Sequence, residues 1–328
     1  MFDDTAGAQL WRMADLVTPM SIRVAATLRI ADHLAAGTMD LDSLAHHTGA
    51  DAKTLCRLMA HLTTIEVFAE PEPAKYALAR LGERLVDDGP GGARSLLDIE
   101  TYIGGKHVNA ARLLEVVRSG RPLAGWWEEL DADSARSAAF DEQMAGLTTP
   151  TANAVAETFA WSDVEHVLDV GGGNGLWASV LMEVHPHLRV TVVDRPGPAA
   201  SAVRRFAEAG QSDRGNAVAQ SFFDPLPIGA DVCLLSEVLL DWDDEHADQI
   251  LGRCANALGE SGCVLVLQPL FDHSDHGAST SLDVSLMLGG GRARSAAELS
   301  AMGTAHGLTL KSITPTTLTN SLVEFVRS

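Results

Sequence analysis

The run His166-Val167-Leu168-Asp169-Val170-Gly171-Gly172-Gly173-Asn174-Gly175 decides how the rest of the chain is read. A short, mostly apolar strand runs straight into glycines, and residues 176–184 follow as a helix. Glycines are needed where the backbone must turn tightly and let a ligand approach with no Cβ in the way. A dinucleotide fingerprint would need a further glycine where Leu176 stands. The spacing here is G-x-G-x-G, with the acid Asp169 two residues upstream.

That spacing suits S-adenosyl-L-methionine, which has no pyrophosphate to seat on the helix N-terminus but has an ammonium and a carboxylate to satisfy. Asp194 ends the next strand about twenty residues on, where an acidic side chain accepts hydrogen bonds from ribose hydroxyls. The competing reading of the glycines alone is a tight strand–helix turn.

Outward from this run, short β-like segments at 190–194, 217–220, 232–236 and 264–268 alternate with helical ones. Alternation of this kind predicts an α/β domain, a mostly parallel sheet covered by helices. After a helix over 296–306, strands at 308–313 and 322–326 are joined through 314–321, which predicts an antiparallel pair at the sheet edge.

Upstream, apolar positions of period near 3.6 predict a helix over 10–36 with Gly37 as its stop. Helices over 41–47 and 52–62 follow around the turn Thr48-Gly49-Ala50, then β-like pieces at 67–69 and 76–78. Helix–turn–helix plus a small hairpin is a winged-helix pattern. A regulator that binds DNA through it while sensing a ligand elsewhere is the alternative to an enzyme. The second helix, however, offers only Lys53 and Arg57 as cations, and the chain carries a net charge of −20, which disfavours a polyanion. Dimerisation is the better use of the module, and no nucleic acid partner is expected.

Residues 91–154 read as helical, broken at Gly104-Gly105 and at Gly120-Arg121-Pro122-Leu123. They hold Tyr102, His107, Trp126, Trp127, Phe140 and Met144, although aromatic residues are only 5% of the chain. This concentration serves packing, a lid over an aromatic substrate, or both. The domain boundaries expected are 1–105 for a mainly α, winged-helix-like dimerisation domain, 106–154 for a helical linker and lid, and 155–328 for the cofactor-binding catalytic domain.

No apolar run reaches the length of a membrane span, and Met1-Phe2-Asp3-Asp4 carries acid where a signal peptide carries base, so a cytoplasmic protein without a membrane partner is expected. Cys56, Cys233, Cys254 and Cys263 form no C-x-x-C pair and read as reduced thiols. The loop Asp272-His273-Ser274-Asp275-His276 has metal-like residue types but no matching third element, so it reads as a solvated turn and no metal is expected.

Several segments together resemble the small-molecule O-methyltransferases of the plant caffeate type, and most of all their bacterial relatives in polyketide, naphthoate and anthracycline pathways. They are Thr18-Pro19-Met20, the stretch from Arg23 to Leu34, the glycine loop, Ser221-Phe222-Phe223-Asp224-Pro225-Leu226-Pro227 and Asp241-Trp242-Asp243-Asp244-Glu245-His246. The resemblance spans essentially the whole chain. It implies a Rossmann-like catalytic domain with a C-terminal antiparallel hairpin, a homodimer through the N-terminal domain, and a small aromatic substrate from secondary metabolism or antibiotic biosynthesis. It also implies that Gly171, Gly173 and Asp194 contact the cofactor, that Ser221 and Phe222 flank its adenine, that Ser236 approaches its polar end and that Thr148 assists. Trp126, Phe140, Met144, Leu240, Asp283 and Met287 are the residues expected to line the acceptor.

The chain departs from that family at its chemistry. The family's histidine base falls at Leu240, and its two partnering glutamates at Gln268 and Ala293. Three non-ionisable residues leave two methylation routes open. One is O-methylation by placement alone, since correct positioning removes about 7–11 kcal/mol of barrier. The other is attack by the ring carbon of an electron-rich phenol or aminophenol; a non-methylating use of the cofactor is a third. Asp241 is the catalytic candidate, orienting substrate or facing the sulfonium, unless it caps the helix that starts near Asp243. Asp283, His107 and Arg12 are the other ionisable candidates.

Overall fold

The computed structural model describes residues 5–37, 39–87, 93–123, 126–271, 278–317 and 319–328. The chain divides into two units, Met1–Asn109 and Ala110–Ser328.

In the first unit the expected long helix is three: α1 (Thr5–Met13), α2 (Val17–Thr27) and α3 (Ile30–Leu34). The interruptions have local causes. The Asp15 carboxylate accepts hydrogen bonds from the backbone N–H of Val17 (3.0 Å) and Thr18 (2.9 Å), which starts α2 afresh, and Arg29 adopts φ +53° ahead of α3. Strand β1 (Met39–Asp40), α4 (Leu41–Thr48), α5 (Ala52–Thr64), β2 (Phe68–Glu72) and β3 (Lys75–Leu78) follow. Asp40 and Asp51 cap α4 and α5 by accepting from the Ser43 and Thr54 amides. The strands form a three-stranded sheet in the order β1-β3-β2, antiparallel throughout. Ile30, Leu34, Leu44, Leu55, Met59, Leu62 and Phe68 are the buried centre of this unit.

Helices α6 (Ala93–Leu97) and α7 (Tyr102–Val108) end it. Contrary to the break expected at Gly104-Gly105, α7 runs through both glycines. A Cβ on Gly104 would lie 1.9 Å from the Asp98 carbonyl oxygen, so that glycine permits a close approach and does not end the helix.

In the second unit α8 (Leu113–Ser119) stops at Gly120, as expected, and α9 (Trp126–Ala132) and the 25-residue α10 (Ser134–Thr158) lead into the sheet. Strand β4 (His166–Val170) and α11 (Leu176–Val184) have the bounds read from the sequence. Then come β5 (Arg189–Asp194), α12 (Pro196–Glu208), β6 (Gly215–Ala219), β7 (Ala230–Ser236), α13 (Asp244–Ala257), β8 (Leu258–Pro269), α14 (Ala278–Gly289), α15 (Ala296–Ala305), β9 (Leu308–Pro315) and β10 (Asn320–Arg327).

Among the described residues the sheet has seven strands in the order β6-β5-β4-β7-β8-β10-β9. The first five are parallel, and β10 runs antiparallel between β8 and β9, which makes the expected terminal pair. Alternate residues of the central strands enter different cores. Val167, Val190, Val232 and Leu265 face α10, α11 and α12, while Leu168, Val193, Cys233 and Val264 face α13 and α15. Burial on both faces is what the continuous apolar runs required. Strand order reverses between β4 and β7, and in such sheets the crevice at the carboxyl ends of those strands is where ligands bind.

Candidate active site

A cavity of about 550 Å³ opens at that reversal, with walls drawn from the ends of β4, β5 and β7, from α9 and α10, and from the turn after β7. The loop after β4 forms its floor. Gly171 takes φ +74°, and its N–H is bound to the Val193 carbonyl at 2.8 Å; a Cβ there would meet Val238 at 2.8 Å. A Cβ on Gly172 would come within 2.4 Å of the Asp169 carboxylate. Glycine is thus required at both places, once for conformation and once for space.

Asp194 fixes the loop from the neighbouring strand. Its Oδ2 accepts from the Gly173 amide (2.8 Å) and its Oδ1 from the Arg195 amide (2.7 Å). Burial raises its pKa above the usual carboxylate range, while those two amides pull the other way. Asp169, one strand over, has no such help: both its oxygens are buried without a hydrogen-bond partner among the described residues. Burial, then the charge of Asp194, pushes its pKa up to about 7.

The opposite wall comes from α10. Asp141, Met144, Ala145 and Thr148 recur at helical spacing and all line the cavity. Asp141 is raised to about 7 by burial and by Asp194. Thr148 Oγ1 accepts from the Trp177 indole N–H at 3.3 Å. Asn174 ties the loop to this helix, donating to Glu142 Oε1 at 3.0 Å. Aromatic rings enclose the rest. Trp127 lies parallel to Trp242 at 6.2 Å and edge-on to Phe140 at 6.0 Å, and the Arg195 guanidinium sits 5.3 Å from the Trp127 ring centre. Phe222 meets Trp242 edge-on at 5.8 Å.

Every residue assigned to the cofactor from the sequence lines this cavity: Gly171, Gly173, Asp194, Ser221, Phe222, Ser236 and Thr148. Of the acceptor set, Phe140 and Met144 do. Trp126, Leu240, Asp283 and Met287 are not among the lining residues. Trp126 packs instead toward Gly289 at the end of α14, and Asp283 Oδ1 accepts from the Ala293 amide at 2.8 Å. Leu240 and Ala293 are buried, and Gln268 is fully buried with neither amide atom hydrogen-bonded among the described residues.

Asp241 lines the cavity and does not cap α13; Asp243 does, accepting from the His246 amide at 2.9 Å. Burial, then the charge of Glu237, raises the Asp241 carboxyl to about 8. His107 lies in the first unit with Nδ1 3.4 Å from the Leu96 carbonyl oxygen, and burial lowers its pKa; Arg12 belongs to α1. The loop 272–276 falls outside the described residues, and no metal-binding cluster occurs among those described.

Sequence reasoning passed over Asp141, Arg195 and Glu237. The helical period linking Asp141 to Thr148 was a usable signal for the first. Among the described residues, the six lining acids Asp131, Asp141, Asp169, Asp194, Glu237 and Asp241 face one lining cation, Arg195, so the cavity favours a positively charged guest. The unpartnered Asp169 carboxyl fits the ammonium of S-adenosylmethionine, and Asp194 retains lone pairs for ribose hydroxyls.

Comparison with known proteins agrees with this geometry. A model of the O-methyltransferase domain matches residues 116–309, and one of the O-methyltransferase dimerisation domain matches residues 11–88. The chain is 40% identical to a 2,7-dihydroxy-5-methyl-1-naphthoate 7-O-methyltransferase of Streptomyces carzinostaticus, over 92% of this chain and 93% of that one. It is 42% identical to an aclacinomycin 10-hydroxylase of Streptomyces purpurascens, over 94% and 86%. An O-methyltransferase from neocarzinostatin biosynthesis, solved with S-adenosylmethionine and 2-hydroxy-5-methyl naphthoic acid, superposes with a TM-score of 0.91 at 40% identity, covering 97% of this chain and 98% of that one.

Proposed function

The chain belongs to the O-methyltransferase family, with S-adenosylmethionine as cofactor and dimerisation through its N-terminal domain, and from that premise we propose that it methylates a hydroxyl of a small aromatic acid or polyketide intermediate. The observation that carries the proposal is the cavity itself: carboxyl side chains from β4, β5, α9, α10 and the turn after β7 line one space together with the rings of Trp127, Phe140, Phe222 and Trp242, which suits a cationic nucleoside beside a flat acceptor. We place the reaction in the cytoplasm; no described helix is long and apolar enough to cross a membrane.

When bound, S-adenosylmethionine supplies an electrophilic methyl group on a sulfonium. In our reading Gly171 and Gly173 offer backbone to it without side-chain obstruction, Asp194 accepts from the ribose, Ser221 and Phe222 flank the adenine, and Ser236 and Thr148 complete the pocket. Phe140 and Met144 hold the acceptor ring, and Trp127 and Trp242 exclude water from it. Trp126, Leu240, Asp283 and Met287 shape the acceptor's surroundings from behind the cavity surface. Residues 1–105 serve dimerisation, 106–154 form the lid and 155–328 bind the cofactor.

Leu240, Gln268 and Ala293 remove the usual proton route, so placement carries most of the rate, and it removes about 7–11 kcal/mol of barrier when the reacting atoms are aligned. Asp241 remains as an ionisable group on the cavity wall, next in sequence to Leu240.

The test is to supply cofactor with a labelled methyl and dihydroxynaphthoate acceptors and to locate the label by NMR. A methyl ether is expected. Label on a ring carbon would transfer the assignment to C-methylation, and a hydroxylated product without label would align the chain with its 10-hydroxylase relative.

A further inference from the structure

Among the cavity-wall carboxylates without a role so far, Glu237 is set apart by its backbone. Glu237 follows the last residue of β7, directly after Ser236, and takes φ +55°. It is the only non-glycine residue of the second unit with positive φ among those described. A left-handed conformation at a glutamate is strained and persists where surrounding contacts enforce it, commonly at functional sites. The contacts are specific. Its backbone N–H donates to the Leu267 carbonyl at 2.7 Å, and its Oε1 accepts from the Asn320 side-chain Nδ2 at 2.6 Å. Asn320 is itself buried at the start of β10, where it pairs in register with Pro269. The side chain is thereby fixed on the cavity wall, one turn of chain before Asp241, which lines the same cavity and feels its charge. Between them in sequence stands Leu240, where the related enzymes resembled by this chain carry their histidine.

We propose that Glu237 and Asp241 act as one proton-sharing carboxyl pair that takes the acceptor's hydroxyl proton in place of the missing imidazole. The proposal rests on the O-methylation reading. In the step, the acceptor O–H bond breaks and its proton goes to a carboxylate oxygen of the pair. The oxygen's electron pair forms the new O–CH₃ bond, and the pair of the broken C–S bond stays on sulfur as the thioether leaves. The proton passes to water once the products depart, so charge and atoms balance with no further reactant. Burial raises both carboxyls above the ordinary carboxylate range, and the charge of Glu237 raises Asp241 further, so the two hold protons to higher pH than free carboxylates and the ionised one is the base. Asp169, Asp194 and Asp141 are the other acids on the cavity wall, and Arg195 its cation. Arg292 and Arg294 hold the turn from outside: the Arg292 amide donates to the Leu240 carbonyl, and the Arg294 guanidinium to the Leu239 and Trp242 carbonyls.

The test is carboxyl ¹³C NMR titration of Asp- and Glu-labelled protein saturated with S-adenosylhomocysteine, in wild type, Glu237→Gln and Asp241→Asn. An aspartate step well above the ordinary range, absent from Asp241→Asn and displaced downward by about one pH unit in Glu237→Gln, is expected. An unchanged Asp241 step in Glu237→Gln overturns the pair. Should that variant not fold, the wild-type spectrum decides: Asp241 titrating in the ordinary carboxylate range refutes the proposal. Turnover supplies the second readout. With a phenolic naphthoate, Glu237→Gln should lose about 100-fold or more in kcat, with KM within a few-fold, and the loss should shrink as pH rises through the acceptor's own ionisation. A loss independent of pH indicates a structural role and contradicts the proposal. Retained calorimetric affinity of the variants for S-adenosylhomocysteine, with wild-type methyl ether formation intact, shows that the O-methylation reading stands even where the pair fails.

Discussion

Burial shapes the chemistry of single residues here more than direct pairing does. Asp141 and Asp169 sit at about 7 and Asp241 at about 8, because the low-dielectric wall penalises their charged forms and neighbouring carboxylates add to the penalty. Each binds its proton more tightly folded than unfolded. Its contribution to stability is therefore complete below about pH 4, the ordinary carboxylate value, and is lost as pH rises through the folded one. For these groups the ligand-free protein should lose thermal stability between about pH 5 and pH 8, measurable by differential scanning calorimetry. Over the same window a cationic ligand should bind more tightly and release protons, which titration in buffers of different ionisation enthalpy would show. The sequence made the place of Asp194 legible, because the strand after a glycine loop of this kind ends about twenty residues on, beside the loop. It could not separate Trp126 from Trp127, since a helix rotates about 100° per residue and only the placement of α9 decides which ring enters the cavity.

At the scale of elements, strong local signals survived and weak ones yielded to packing. β4 and α11 were bounded correctly because an apolar run ending in glycine leaves little freedom of interpretation. The segment 10–36 has helical periodicity throughout, yet one aspartate side chain capping the next turn suffices to divide it. β1 is two residues long, too short to announce itself, and exists because β3 offers it an edge. The C-terminal elements rely on side-chain caps in the same way. Ser295 and Glu298 form a reciprocal capping box at the start of α15, and the Arg292 guanidinium reinforces Glu298. Ser295→Ala should cost about 1 kcal/mol, read as a lowered midpoint in urea with unchanged slope.

For the whole molecule, charge and apolar surface point to different partners. A net charge of −20 argues against polyanions, and the acid-lined cavity extends the same logic to the ligand. Helix α1 buries none of its residues within the chain, although Leu10, Met13, Leu16 and Val17 on it and just after it are large, apolar and exposed. These positions lie in or beside the dimerisation match over 11–88, and exposed apolar side chains grouped there are the expected face for a second subunit. Met13→Asp combined with Leu16→Asp should shift the protein from dimer toward monomer in sedimentation velocity; an unchanged dimer would place the interface elsewhere.

The central claim is that the glycine loop and Asp194 hold an adenosyl cofactor. Isothermal titration of S-adenosylhomocysteine into purified protein tests it most directly. One site per subunit is expected, weakened about 10- to 100-fold in Asp194→Ala. No binding heat in the wild type at any temperature tried, or equal affinity in the variant, would contradict it.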